Sequence, residues 1–239
     1  MNYIAIDVGG TKTRIALFKE AGATEALPEI FEYPTDQNYS EALTRLSYEI
    51  NNGTGRDIGG IAVGLPGIVN RKLGKIKGCA PNLQNWGGQN LGDDLRGALD
   101  LNANRPLLVE NDANLGALGE ASARKESDRP KSMLYVAIGT GIGAGHVVDG
   151  KLNETTIDSE IGEIRFPKQT SGTNSWEDLA AREPLQPHLD DGNTAEVARR
   201  IALGLIAASA LYNPLDQICI GGSIGGRFNS YKAALRATL

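Results

Sequence analysis

Residues 2–20, NYIAIDVGGTKTRIALFKE, decide the fold. Tyr3-Ile4-Ala5-Ile6 and Arg14-Ile15-Ala16-Leu17-Phe18 are short apolar runs separated by Gly9-Gly10-Thr11-Lys12, so the segment reads as a β-hairpin closed by a glycine-rich turn. The turn, not the strands, is the unusual part. Without Cβ atoms the backbone lets an anion approach closely, and successive N–H groups can point at phosphate oxygens. Thr11 and Lys12 add a hydroxyl and an ammonium donor. One such hairpin is more often only a tight turn, so a second observation is needed.

The second half of the chain repeats the device. Met133-Leu134-Tyr135-Val136-Ala137-Ile138 runs into Gly139-Thr140-Gly141-Ile142-Gly143-Ala144-Gly145 and then into His146-Val147-Val148. Between the repeats, Leu43, Leu46 and Ile50 at helical spacing predict a helix over 40–51, with Ser40 as N-cap and Asn51-Asn52-Gly53 as the stop. Ile58 to Leu65 and Pro106 to Val109 read as buried strands. A long helix is expected from Asn193, which has capping-box spacing to Glu196, as far as Asn213-Pro214, which cannot continue it. Gln217 to Ile220 then reads as a strand entering Gly221–Gly226, with a helical terminus. Alternating strands and helices argue for an α/β layer architecture. The recurrence alone places a boundary between an N-terminal lobe, 1–110, and a C-terminal lobe, 111–239.

Composition narrows the class. With 239 residues, a net charge of −5, 41% hydrophobic and 22% charged residues, the chain is neither collagen-like, disulfide-stapled nor disordered. Acidic and basic residues interleave throughout, without the basic footprint of a nucleic-acid binder. Cys79 and Cys219, far apart, read as buried free thiols in a reducing compartment. The N-terminus has no signal-peptide pattern, and the longest apolar run, Ile201–Leu211, is about half the ~20 residues of a membrane span. A soluble, cytoplasmic protein with neither nucleic-acid nor membrane partners is expected.

Two familiar phosphate motifs fail on context. No Gly-Lys-Ser/Thr opens a helix, as a P-loop requires. Gly139–Gly145 leads into a strand rather than the helix of a dinucleotide fold. Leu107-Leu108-Val109-Glu110-Asn111-Asp112-Ala113-Asn114 instead places a carboxylate where a buried strand ends and a helix begins. That carboxylate is either an N-cap, a position Asp and Asn favour, or a catalytic base at the floor of a cleft between the phosphate-cradling hairpins. Other features invite plain readings. Arg71, Lys72, Lys75 and Lys77 are a solvated basic hairpin, Trp86 and Trp176 are packing anchors, and His146 is a satisfied core side chain.

Asp7-x-Gly9-Gly10-Thr11-Lys12, Gly64-Leu65-Pro66-Gly67, Ala80-Pro81-Asn82-Leu83, Glu110-Asn111-Asp112-Ala113-Asn114, Gly139-Thr140-Gly141-x-Gly143-x-Gly145, Glu160-Ile161-Gly162 and Ile220-Gly221-Gly222 carry a resemblance to the ROK family of sugar kinases and repressors. That family lies within the actin-like ATPase superfamily. The resemblance covers nearly the whole chain. It implies a two-lobed actin-like ATPase (ribonuclease H-like) α/β fold with ATP and a hexose in the interdomain cleft. The implied reaction transfers the γ-phosphoryl group to a sugar hydroxyl, usually on C6, with glucose the default substrate and fructose, mannose and N-acetylhexosamines behind it.

Position by position, Asp112 resembles the family's catalytic base and Asn111 a sugar-hydroxyl ligand. Glu160 and Glu177 resemble further sugar-binding glutamates, and Gly67 and Asn82 fall in sugar-site segments. Gly9, Gly10, Thr11 and Lys12 resemble the first phosphate loop, Thr140 and Gly141 the second, and Gly221 and Gly222 the stretch against adenosine. Asp7 resembles the carboxylate that positions Mg²⁺, through water. Phosphoryl transfer passes through a loose transition state, so positioning and charge neutralisation dominate, and the base need only accept the hydroxyl proton. A homodimer is the expected assembly.

The chain departs from the family in two places. Many members carry a His three residues after the glutamate matching Glu160, then a Cys-x-Cys-Gly-x-x-Gly-Cys stretch, and these side chains bind a structural zinc. Here the His position is Glu163 and residues 164–176 hold no Cys, so no zinc site is expected. Glu163 either replaces the histidine's hydrogen bond to sugar or is a solvated surface carboxylate. The family pattern also continues past Arg227–Leu239 with a further conserved stretch and a helix, which leaves completeness of the adenosine pocket open. Family repressors carry a DNA-binding domain ahead of the core, for which a hairpin starting at residue 2 leaves no room. A catalytically silent sugar-binding or regulatory relative is the alternative to a kinase. The resemblance leaves open which hexose is used, and whether polyphosphate replaces ATP.

Overall fold

Strands β1 (Asn2–Val8) and β2 (Lys12–Phe18) pair antiparallel, with Val8 opposite Thr13, so the glycine turn sits at their tip. This is a computed structural model, and it describes residues 1–239 except 22, 24–29, 55–56, 79–80 and 169–170. Cys79 and Ala80 therefore lie outside the described residues, as does the side chain of Asn82.

The chain divides into two compact units, Met1–Leu115 and Gly116–Leu239. The first contains β3 (Ile30–Pro34), α1 (Tyr39–Thr54), β4 (Ile58–Leu65), the short hairpin β5 (Val69–Asn70) and β6 (Lys75–Ile76), α2 (Leu91–Ala98) and β7 (Leu107–Asn111). Its sheet runs β3-β2-β1-β4-β7. β4 lies parallel to β1 on one side and to β7 on the other. All of β4 but Ala62 is buried, as a central parallel strand covered on both faces requires. Ile4, Ile6 and Val8 alternate into the core, where Leu46, Ile50, Trp86, Leu91 and Leu95 meet them. Trp86 is the anchor its sequence context suggests, 1% exposed, with Nε1 donating to Asp36 O at 3.2 Å.

Helix α3 (Asp112–Ser122) starts directly from β7, and β7 is hydrogen-bonded into the first sheet, so Asn111 and Asp112 belong to the first unit and the division comes inside α3. Helix α1 begins earlier than its apolar spacing predicts. Asn38, not Ser40, caps it: Asn38 Oδ1 accepts the N–H groups of Ser40 (2.9 Å) and Glu41 (3.2 Å). The helix runs on through the predicted Asn51-Asn52-Gly53 stop.

The second unit repeats the arrangement of the first. β8 (Ser132–Ile138) and β9 (Ile142–Val148) form its hairpin, β10 (Lys151–Leu152) adds to the edge, and β13 (Gln217–Gly221) lies parallel to β8, giving the order β10-β9-β8-β13. Thus β2-β1-β4 and β9-β8-β13 are the same device, a hairpin with a parallel strand against its first member. Between β9 and β13 come a small hairpin of β11 (Arg165–Pro167) and β12 (Thr173–Ser175), then α4 (Trp176–Ala180), α5 (Arg182–Asp190) and α6 (Thr194–Leu211). After β13 follow α7 (Gly222–Gly225) and α8 (Phe228–Thr238).

Asn193 caps α6 as its spacing predicts, with Oδ1 accepting from Glu196 N–H at 3.2 Å. The reciprocal half of the box is missing, because Glu196 turns its carboxylate to Arg199 and Arg200. Trp176 is fully buried against α6, its Nε1 donating to Arg200 O at 3.1 Å. A Cβ on Gly204 would stand 1.9 Å from that indole, so the helix is bare where the ring crosses it. Burying such a ring removes roughly 200 Å² from water, worth on the order of 5 kcal/mol at most. His146 is a satisfied core side chain, 6% exposed, with Ser132 Oγ at 2.9 Å from Nε2 and Thr156 Oγ1 at 3.1 Å from Nδ1. Among the described residues no helix is long and apolar enough to cross a membrane.

Candidate active site

In the first glycine turn, backbone carbonyls are tied down. Thr35 Oγ1 donates to Gly9 O (2.7 Å), Gln37 Nε2 to Gly10 O (3.4 Å) and Thr35 N–H to Thr11 O (3.0 Å). A trans peptide sets its C=O and N–H on opposite sides. Fixing the Gly9 and Gly10 carbonyls therefore turns the Gly10 and Thr11 N–H groups the other way, and no described residue accepts from them. The carbonyls on one side of the turn thus leave two N–H groups on the other unpaired among the described residues. The buried Thr13 hydroxyl, 2.9 Å from Thr35 Oγ1, braces the turn, a contribution from Thr35 that the sequence did not reveal. Lys12 does not point freely: its Nζ donates to Glu32, which also takes Arg14 Nε at 2.8 Å.

Three parallel strand ends meet beside the turn. Asp7, Gly64 and Glu110 share one row across β1, β4 and β7. A Cβ on Gly64 would stand 3.5 Å from Asp112 Cα, so the bare strand lets the start of α3 come close. Of the two sequence readings of this segment, capping falls mainly to the neighbouring Asn111. Asn111 is the cap, its Oδ1 accepting from Ala113 N–H (2.9 Å) and Asn114 N–H (3.2 Å) and its Nδ2 donating to Gly67 O (3.2 Å). Both acceptor sites of the Asn111 amide are then used, and one donor N–H remains for a ligand. Asp112 is relieved of capping; its Oδ1 shares the Ala113 N–H at 2.8 Å.

Asp112 opens to solvent on one side and is crowded by protein on the others. Desolvation pushes its carboxyl above the usual range, the Ala113 N–H opposes this, and the negative charge of Asp7 adds to the rise. Burial also raises Asp7, against the pull of Arg14, whose Nη1 lies 4.0 Å away. Two carboxyls with raised pKa values thus stand in the same unit, each influenced by burial.

Glu110, quoted in the motif but given no role there, is 1% exposed and organises the strand end. Its Oε1 accepts from Asn111 N–H (2.8 Å) and Asn114 Nδ2 (3.1 Å), while Oε2 takes Arg71 Nε (2.7 Å). Arg71 therefore leaves the solvated basic cluster in which its neighbours placed it. A glutamate closing a buried strand was the available signal; nothing in the sequence pointed to its partner 39 residues away.

The second unit fixes its own glycine turn in a similar way. Arg182 N–H donates to Gly139 O (2.7 Å) and Gly139 N–H to Gly141 O (2.9 Å), which by the same peptide geometry turns the Thr140 N–H away from Arg182. Ile142 N–H donates to Glu177 Oε2 at 2.8 Å. A Cβ on Gly141 would stand 2.6 Å from that oxygen, so the glycine makes room for the glutamate. Glu177 is thus a brace of the hairpin. Glu160 precedes the helical turn Ile161–Glu163 and Glu163 ends it, both exposed, and Glu163 Oε2 pairs with Arg165 Nη2 at 2.7 Å. At the end of β13, a Cβ on Gly221 would stand 2.0 Å from the Tyr135 hydroxyl. Gly222 has φ +75° and faces the Ile138 backbone, a position only glycine fills without strain.

The paired hairpin-and-parallel-strand sheets, each tipped by a glycine turn, define the actin-like ATPase fold. The chain belongs to the ROK family, whose pattern matches residues 3–175. A glucokinase from Halalkalibacterium halodurans is 29% identical over 237 residues, covering 90% of this chain and 68% of that protein. An N-acetyl-D-glucosamine kinase from Vibrio parahaemolyticus is 33% identical over 191 residues, covering 77% of this chain and 57% of that protein. The crystal structure of a ROK family glucokinase from Streptomyces griseus, in complex with glucose and AMPPNP, matches with a TM-score of 0.81 at 20% identity, covering 100% of this chain and 90% of that one; this likeness shows the fold.

Proposed function

We propose that the chain is an ATP-dependent hexose kinase that phosphorylates a sugar hydroxyl, the one on C6, with glucose the first candidate and N-acetylhexosamines, mannose and fructose next. One observation carries the reading: at the start of α3 Asn111 does the capping, which leaves the Asp112 carboxylate, with its raised pKa, available to a substrate.

In this reading the acceptor hydroxyl attacks the γ-phosphorus, its bond to that phosphorus forms as the β,γ-bridging bond breaks, and its proton passes to Asp112. The products are a sugar phosphate and ADP. Because the transition state is loose, orientation and charge do most of the catalysis. The Gly10 and Thr11 N–H groups of the first hairpin suit phosphate oxygens, and the Thr140 N–H suits them in the second. Asp7, near the end of β1, would position a hydrated Mg²⁺ through water; the ion would supply positive charge to the phosphates. Lys12 joins the phosphates by leaving Glu32. Asp112, the remaining Asn111 N–H, Gly67, Asn82, Glu160 and Glu163 are the sugar-side candidates. Glu177 acts through the second hairpin, which it braces, and Gly221 and Gly222 are the candidates to lie against adenosine.

A coupled ADP-release assay over a hexose panel, run beside Asp112→Asn, tests this. Turnover on at least one hexose that Asp112→Asn removes supports the kinase. Hexose binding by calorimetry without turnover on any sugar would instead make the chain a silent sugar-binding relative.

A further inference from the structure

Helix α5 and the second glycine turn enclose an open groove of about 640 Å³ within the second unit. Thr140 and Arg182 line one end, and Glu183, Gln186, Asp190 and Asp191 line the helix side. The Arg182 backbone is fixed by its 2.7 Å bond to Gly139 O, while its side chain is exposed and, among the described residues, makes no ion pair. Gln186 is held from both directions, with Nε2 donating to Asp190 Oδ1 (2.6 Å) and Oε1 accepting from Arg227 Nη1 (3.5 Å). Asp190 lies eight residues beyond Arg182, about 12 Å along a helix axis. The groove therefore sets one guanidinium, beside a hydroxyl, against three carboxylates.

We propose that this charge pattern selects the class of phosphoryl donor: the groove accepts a nucleoside triphosphate and turns away linear polyphosphate. The inference rests on the kinase reading and extends it to the donor. A nucleoside triphosphate carries its charge at one end only. Its phosphates suit the Arg182 fork and the Thr140 hydroxyl. Its uncharged ribose offers vicinal hydroxyls, which donate to carboxylates such as Asp190 and Asp191 much as ribose does in dinucleotide sites. Polyphosphate is negative along its whole length and meets Glu183, Asp190 and Asp191, none of which has an ion pair among the described residues; like-charge contact of that kind sets specificity.

The test compares kcat/KM for ATP and for long-chain polyphosphate at saturating hexose, in the wild type, Arg182→Ala, Arg182→Lys and the triple variant Glu183→Gln/Asp190→Asn/Asp191→Asn. A trinitrophenyl-ATP titration is read alongside without turnover. In the wild type ATP should exceed polyphosphate by about 100-fold or more, and the triple variant should narrow that ratio by about tenfold, where each tenfold is ~1.4 kcal/mol. Arg182→Ala should weaken trinitrophenyl-ATP binding about tenfold, with Arg182→Lys recovering part. Hexose affinity, measured without donor, checks that each variant is folded. Equal use of both donors by the wild type, a ratio the triple variant leaves unchanged, or nucleotide binding indifferent to Arg182 would overturn the inference. Failure of the kinase reading looks different: no hexose turns over with any donor, yet trinitrophenyl-ATP still binds through Arg182.

Discussion

Arg71 donates its Nε–H to Oε2 of Glu110 across 2.7 Å, tying the loop between β5 and β6 to the end of β7. The pair is asymmetric, with the Arg71 side chain 30% exposed and that of Glu110 only 2%. Arg71→Ala leaves the glutamate buried without that partner. Breaking a fully buried pair costs about 3–5 kcal/mol, and the partial exposure of Arg71 reduces this to about 2–3 kcal/mol. A urea midpoint measures it. Because the other Glu110 oxygen holds Asn111 N–H, the variant should also lower kcat more than it raises the KM for hexose; an unchanged kcat would separate Glu110 from the site.

Glu177 offers a sharper split between two roles. Its Oε2 accepts the Ile142 N–H at 2.8 Å, so its first effect falls on the second phosphate turn. Glu177→Ala removes a charge-assisted hydrogen bond worth about 1.5–3 kcal/mol and should raise the KM for ATP at least as much as that for sugar. Glu177→Gln keeps an acceptor oxygen and should retain most of the nucleotide affinity. A rise confined to the KM for sugar would assign Glu177 directly to the hexose.

The sequence displayed those parts of the molecule where local chemistry and tertiary structure agree. Both glycine hairpins, the buried β4 and the Asn193 cap are visible because apolar runs, glycine turns and cap spacing act over a few residues. β3 was missed because Glu32 interrupts a short apolar run, and Glu32 is there to meet Lys12 and Arg14 on the neighbouring strand. α5 was missed because Pro184 and Pro187 argue against a helix, yet Pro184 falls in its first turn, where a missing N–H is harmless. At the site, Asp112 and Asn111 were legible as a pair, but which one caps the helix depends on side-chain geometry. Long-range partners such as Arg71 for Glu110, and Thr35 for the first turn, leave no trace in spacing.

Gly204 tests the packing of the second unit independently of chemistry. A Cβ there would stand 1.9 Å from the fully buried Trp176 ring, whose flank is backbone-tied through Nε1 to Arg200 O. Gly204→Ala would ordinarily favour a helix by about 1 kcal/mol. Here overpacking outweighs that gain, and a net loss of about 1–3 kcal/mol is expected. Thermal unfolding gives the loss, and a shift in tryptophan emission locates it. An unchanged or raised Tm would show that the indole is not held against α6.

The raised pKa of Asp112 links activity and stability with opposite signs. As a base it must be ionised, so kcat/KM should fall with falling pH, with an inflection above the ordinary Asp value of about 3.9. Asp7 contributes to the rise, so Asp7→Asn should move the inflection to lower pH, whatever it does to the plateau. For stability, a folded-state pKa above the unfolded one means that the native protein holds this proton more tightly. Asp112 then costs nothing below the unfolded pKa, and its ionisation takes stability away as pH rises through the window up to the folded value. Asp112→Asn should therefore match the wild type in Tm below about pH 4 and exceed it at pH 7, while kcat drops by about 10²–10⁴ and hexose affinity stays within a few fold. A Tm lowered equally at both pH values would mean that the carboxylate holds α3 together instead of waiting for a substrate proton.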